Sequence, residues 1–272
     1  MPVDPSAYVA PTAKVHPEAR IGPQTHIGEY CVIEQDVVIG ARCRLEPYVY
    51  IKRWTTIGDD NQISAGAALG TDPFDKNFTG ERSYLVIGNG NRIREHFTIS
   101  RGTAPESVTR VGDGNFIMSS GHIAHNATVG NQTVIASCAL IAGHVTVEDQ
   151  AFISGCVVVH QFCRIGRLAM VGGGVRVNQD LPPFFLYSGV YASPVGLNVV
   201  GLRRAGFTGE EVAAIKRAYR LLYRSGLKLK DALERIEREV DTPHGRHIAE
   251  FVRGTKRGIA HEREGRSRFR FE

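Results

Sequence analysis

From Val9 onward an aliphatic residue returns at every sixth position, through Val15, Ile21, Ile27, Ile33, Ile39, Leu45, Ile51, Ile57, Ile63 and Leu69. The beat resumes at Ile87, Ile93 and Ile99, then holds from Val111 to Val177. An amphipathic helix needs apolar spacings of three and four, and a half-buried strand needs two. Neither gives six. Glycine follows the beat at Gly22, Gly28, Gly40, Gly58 and Gly166, and the pattern is the hexapeptide repeat of a parallel β-helix. Each hexapeptide supplies one short strand and a turn, and three close a triangular coil.

The beat residue points inward. So does the position four further on, where a corner admits a small side chain: Ala13, Ala19, Thr25 and Cys31 early, Ala127, Thr133, Ala139 and Val145 later. Coils stack at the ordinary strand spacing of about 4.8 Å. The metre breaks near residues 71–86 and 102–110. Insertions in solenoids map to one face, often the binding face, although each break alone reads equally well as a tolerated surface loop.

After Val177 the pattern stops at Leu181-Pro182-Pro183. Thr208 and Glu211 form the signature of a capping box, ahead of a helical stripe of Val212, Ile215, Tyr219, Leu222 and Tyr223. A second helix is expected around Leu229 to Val240 and a third around Ile248 to Val252. The chain divides into a β-helix over 1–190, a helical cap over 191–258 and a basic, flexible tail over 259–272.

The formal net charge is +5, much of it after Arg253. No nucleic-acid motif or interleaved aromatics accompany it, so no nucleic-acid partner is expected. No apolar run is long enough for a bilayer span, and Met1-Pro2-Val3-Asp4 does not begin a signal peptide. A cytoplasmic protein without an integral membrane segment is expected. Among the five cysteines, Cys138 and Cys156 lie one coil apart and read as small core fillers, with a disulfide as the lesser alternative.

His122, His125, His144 and His160 lie on consecutive coils, none on an inward column. Coil register stacks His125 under Gly143 and Gln161, and Asn126 under His144 and Phe162. That edge offers an imidazole base, an exposed backbone N–H beside glycine and polar groups to hold a substrate. His122-x-x-His125 also suggests a metal, but the two side chains leave different parts of a coil with no carboxylate or cysteine beside them. No metal is expected.

Several strings resemble the UDP-N-acetylglucosamine O-acyltransferase family: Asn91-Arg92-Ile93-Arg94-Glu95, Ser100-Arg101-Gly102-Thr103, His122-Ile123-Ala124-His125-Asn126, His160-Gln161-Phe162-Cys163, Met170-Val171-Gly172-Gly173, Gly201-Leu202-Arg203-Arg204-Ala205-Gly206-Phe207 and Tyr223-Arg224-Ser225-Gly226. The resemblance runs to about Gly258. It implies a left-handed coil, a homotrimer with sites between subunits, and transfer of a (3-hydroxy)acyl chain from acyl carrier protein to the 3-hydroxyl of UDP-N-acetylglucosamine, the first step of lipid A synthesis, with no cofactor. It assigns His125 as general base, oriented by Asn126, and the Gly143 N–H as oxyanion donor. It places the sugar against Asp75, His122, His144 and Gln161, with Lys76 beside Asp75, and the nucleotide against His160, Asn198 and Arg204. Met170 and Gly173 would set acyl length.

The chain departs from the commonest family pattern at Asn126 (usually aspartate), Ser100, Asn77, Val200 and Ala205. The rivals are a later N-acyltransferase of the same pathway, a CoA-dependent acetyltransferase and a structural scaffold. The first carries a globular domain before the coil, for which a beat starting at Val9 leaves no room. The second lacks the Gly201–Phe207 string, and the third has no need of His125 and Gly143 in register. Acyl length, and a 3-hydroxyl against a 3-amino acceptor, stay open.

Overall fold

A computed structural model describes residues 2–261. Short strands recur at the beat, and each pairs in parallel with the strand one coil on: Tyr8 faces His26, Lys14 faces Val32, Arg20 faces Val38. Among the described residues this gives three sheets of eleven, nine and eight strands. They are termed first, second and third here, after their strands Tyr8–Val9, Lys14–Val15 and Arg20–Ile21. The chain visits them in that order, coil after coil, as a left-handed parallel β-helix. The coil starts ahead of the beat, with Val3 bridged to Ile21.

Ile27, Leu45, Ile93 and Ile117 are fully buried, as the beat requires. The corner column is mostly small but admits two exceptions. Phe97 is fully buried because the next rung offers Gly121, where a Cβ would lie 2.5 Å from the ring. Asn61, Asn91, Asn115 and Thr133 instead form a buried polar ladder. Each amide Nδ2 of Asn91 and Asn115 donates to the Oδ1 one rung below at 3.0 Å, and Thr133 Oγ1 donates to Asn115 Oδ1 at 2.7 Å. A satisfied network of this kind removes the desolvation cost of buried amides.

The third residue after the beat sits in the left-handed region at most corners, even where it is bulky: Tyr48, Trp54, His144, Phe162 and Leu168 have φ between 54° and 65°. That conformation costs about 1–2 kcal/mol for an L-residue. It is offset by contacts between rungs, such as the Tyr30–Tyr48 stack at 5.2 Å. Cys138 and Cys156 occupy this position and are exposed, which corrects their reading as core fillers. Standing three residues after a beat, their side chains leave the corner outward. Cys31, Cys43 and Cys163 take the inward column and are buried.

Both breaks in the metre leave the coil at the same place, the corner between second and third sheets. One runs from the strand Ala68–Thr71 to Tyr84–Ile87, the other from Thr98–Ser100 to Val108–Val111.

The last coil ends in an antiparallel pair, Phe185–Ser188 with Leu197-ended Ser193–Leu197. Among the described residues four helices follow: α1 Val199–Arg204, α2 Gly209–Tyr223, α3 Leu229–Glu239 and α4 Pro243–Arg253. The Thr208–Glu211 capping box forms. The strand pair and α1 go beyond the elements expected, because six residues carry too little periodicity to read. The helices dock through Phe185 edge-on to Tyr219 at 5.1 Å, through His247 Nε2 to Glu148 at 2.8 Å, and through the Arg164 guanidinium to the Phe251 carbonyl at 3.0 Å. At the start of the expected tail Ile259 bridges Asp180 and Ala260 is buried, so these two residues pack on the fold rather than hang free. Its residues 262–272 lie outside the described residues.

Ile135→Ala should lower the unfolding free energy by about 2–5 kcal/mol, as truncation of a close-packed core does. Thr128→Ala, facing outward, should stay within about 0.5 kcal/mol. Denaturant unfolding at one fixed protein concentration reads both.

Candidate functional site

The corner that carries both loops also carries the histidines. Strand His122–Ile123 runs into a turn bearing His125 and Asn126, the next rung bears Gly143 and His144, and the next Gln161 and Phe162. Two backbone bonds fix the stacking: His144 N–H donates to the His125 carbonyl and Phe162 N–H to the Gly143 carbonyl, both at 3.1 Å. The His125 ring meets His144 edge-on at 5.4 Å, and His144 stacks on Phe162 at 4.7 Å.

Gly143 lies directly against the imidazole. A Cβ there would come within 2.5 Å of His125 Cε1 and 2.7 Å of Nε2, so only glycine lets the ring rest in this place. Among the described residues the Gly143 N–H finds no acceptor. An imidazole nitrogen and a free amide donor therefore share one small volume. On its other side, His125 Nδ1 lies 3.0 Å from Asn126 Oδ1. A carbonyl oxygen accepts only, so Nδ1 carries the proton and the Nε2 lone pair is open.

His122 stands on the strand that leads into the turn. Its Nδ1 is 2.8 Å from Thr98 Oγ1, and its buried Nε2 has no partner among the described residues. Burial lowers the pKa of His122, and burial followed by the charge of His125 lowers that of His144. Both rings are neutral at neutral pH and can serve as hydrogen-bonding groups. Phe74, at the tip of the first loop and 80% exposed, leans over His122 with 5.1 Å between ring centres. The loop is pinned at its base, where Asp72 pairs with Lys52 at 2.8 Å and with the buried Arg101 at 2.5 Å. Asp75 accepts from the Asn77 N–H at 2.9 Å, and Lys76 is exposed. Ser100 is buried, with its hydroxyl 3.1 Å from that of Thr71. His160 and Gln161 are exposed on the rung above, joined by a 3.1 Å contact from His160 Nδ1 to the Gln161 carbonyl.

The remaining candidates lie elsewhere on the chain. Met170, Asn198 and Arg204 line a groove of about 480 Å³ beside the first sheet, with Phe152, Val200 and Ala205 as apolar neighbours. Asn198 is largely committed to structure. Its Nδ2 donates to the Leu168 carbonyl at 2.9 Å, and its Oδ1 accepts the Gly201 N–H at 3.0 Å, capping α1. Arg204 is exposed with no ion pair among the described residues. Gly173 sits at the corner between first and second sheets, its open side 3.5 Å from the nearest backbone atom. Within one chain, then, His125 and Arg204 occupy different edges of the prism. A larger groove of about 810 Å³ lies between Lys14, Glu34, Lys52 and Asp72, two or more rungs below His122, and holds none of the histidines of this cluster.

Sequence reasoning missed Thr103 and Thr98. Thr103 donates its N–H at 3.2 Å and its hydroxyl at 2.9 Å to Asn126 Oδ1 from the second loop. Its membership of the Ser100–Thr103 string was the available signal, without any indication of what it touches.

Comparison with known proteins gives the family. Residues 180–260 match the model for domain 2 of UDP N-acetylglucosamine O-acyltransferase. The chain is 51% identical to the acyl-[acyl-carrier-protein]–UDP-N-acetylglucosamine O-acyltransferase of Tolumonas auensis, over 94% of this chain and 98% of that one. It is 44% identical to the protein of the same name from Thermodesulfovibrio yellowstonii, over 85% and 90%. The crystal structure of a UDP-N-acetylglucosamine acyltransferase from Bacteroides fragilis superposes with a TM-score of 0.90 at 39% identity, covering 92% of this chain and 99% of that one. Coil, loops and helices are all included in these alignments, and the chain belongs to the UDP-N-acetylglucosamine O-acyltransferase family.

Proposed function

We propose that this acyltransferase moves a (3-hydroxy)acyl chain from acyl carrier protein to the 3-hydroxyl of UDP-N-acetylglucosamine, opening lipid A synthesis, by direct transfer. The observation that carries the mechanism is the His125 ring resting against the bare amide of Gly143.

A sugar hydroxyl is a poor nucleophile at neutral pH. His125 Nε2 takes its proton as the oxygen attacks the thioester carbonyl, and Nδ1–H stays bonded to Asn126 Oδ1. Negative charge develops on the carbonyl oxygen, where the Gly143 N–H donates to it. Collapse breaks the C–S bond, and the leaving thiolate takes the proton back from the imidazolium. No serine or cysteine nucleophile and no cofactor is required. The neutral His122 and His144 suit a sugar, because a neutral imidazole can both donate and accept. His122 Nε2, buried and unpaired, awaits such a partner. Names of the relatives supply the two substrates.

The crevice is completed by a second copy in a homotrimer. His125 sits at the second-to-third corner, whereas Met170, Asn198 and Arg204 face out beside the first sheet, so one chain offers two half-sites to two neighbours. Val32, Tyr50, Leu140 and Val158 leave the outer face of the second sheet apolar and 36–45% exposed, as a surface covered by another subunit would be. A guanidinium suits the diphosphate, and Arg204 has no competing carboxylate among the described residues. No helix of the described residues is long and apolar enough to cross a membrane, and a cytoplasmic setting accompanies a donor carried on acyl carrier protein.

His125→Ala should reduce kcat for transfer to UDP-N-acetylglucosamine by about 10²–10⁴-fold, the usual worth of a general base, with the oligomer intact by light scattering. Retention of most activity removes His125 from that role, and running the 3-amino analogue in parallel tells the acceptors apart. Gly173→Leu should shift preference toward shorter acyl chains in competition assays read by mass spectrometry. Unchanged preference puts the acyl groove elsewhere.

A further inference from the structure

Asn126 faces two partners with one atom. Its Oδ1 is 3.0 Å from His125 Nδ1, 2.9 Å from Thr103 Oγ1 and 3.2 Å from Thr103 N. Its own N–H donates to the buried Thr109 Oγ1 at 2.8 Å, so both ends of the second loop grip this one residue. The loop is itself held tight: the Ser107 N–H donates to the Ala104 carbonyl, and the Ala104 N–H donates to Ser107 Oγ, each at 3.0 Å.

An amide has two unlike ends, and turning it over exchanges acceptor for donor. If Asn126 turned, Nδ2 would confront the Thr103 N–H, which can only donate. The same Nδ2 would confront His125 Nδ1, and the imidazole would have to carry its proton on Nε2 instead. Nε2 is the nitrogen beside Gly143, so that tautomer offers no lone pair to the crevice.

We infer that Thr103 is a positioning residue: its N–H and O–H hold the Asn126 amide oxygen toward His125 and thereby keep the imidazole in the tautomer whose Nε2 can accept a proton. The catalytic consequence rests on His125 being the base, but the tautomer does not. A carboxylate at position 126 would need no such restraint, because both its oxygens accept. The restraint is therefore specific to the asparagine of this chain.

Thr103→Val deletes the hydroxyl at nearly constant shape. It should lower kcat about ten-fold, the worth of one such hydrogen bond, while KM for the sugar nucleotide stays unchanged and Thr103→Ser restores activity. In protein carrying ¹⁵N-labelled histidine, the His125 ring resonances should move from a pure Nδ1–H pattern toward a mixture. Repeated in an Asn126→Asp background, Thr103→Val should cost no more than about two-fold. Equal losses in both backgrounds, or ring resonances indifferent to Thr103→Val, would overturn the inference. Should His125→Ala stay active while the resonances still respond to Thr103→Val, the base assignment falls and the tautomer restraint stands.

Discussion

Rung-to-rung backbone hydrogen bonding in fixed register is the constraint on which the rest of the structure depends. It makes residues one coil apart into neighbours whatever their side chains, and it places an imidazole against the amide of Gly143. The buried ladder shows how strictly the register is kept. Asn91 bonds Asn61 across thirty residues, Asn115 bonds Asn91 across twenty-four, and Thr133 bonds Asn115 across eighteen. Both insertions are thus absorbed at one corner without disturbing the inward columns. Extra chain is expelled where it can reach the histidines, and the two loops give Phe74 over His122 and Thr103 on Asn126.

The electrostatics follow from that placement. Burial disfavours charge on His122 and His144, while an amide rather than a carboxylate touches His125. The neutral rings of His122 and His144 donate or accept as a sugar demands. The use of Asn126 substitutes geometry for charge. It preserves the acceptor that the Nδ1–H needs but introduces an orientation that something else has to fix.

Much of this was legible in the sequence, for a physical reason. A six-residue beat of Ile and Val fixes which side chains face in, and coil arithmetic then gives the His125–Gly143 and Asn126–His144 pairs without coordinates. What escaped depends on conformation outside the metre. The αL corner turns Cys138 and Cys156 outward, since they stand three residues after a beat and so off both inward columns, whereas a spacing of eighteen is common to every column. Phe97 breaks the small-corner rule because a neighbouring rung, not its own, supplies the space at Gly121. The contact of Thr103 with Asn126 is set by loop shape, on which periodicity is silent. α1 is short enough that its Asn198 cap is the main signal for it, and the family resemblance points Asn198 to the nucleotide instead.

In the proposed function the half-site around His125 and the half-site around Arg204 meet across two copies of the chain. Mixing inactive His125→Ala and Arg204→Ala subunits during assembly tests it most directly. Crevices that draw one half from each chain will include some with both residues intact, and random assortment in a closed ring predicts roughly a quarter of wild-type activity. Activity no higher than that of either variant alone would contradict the account.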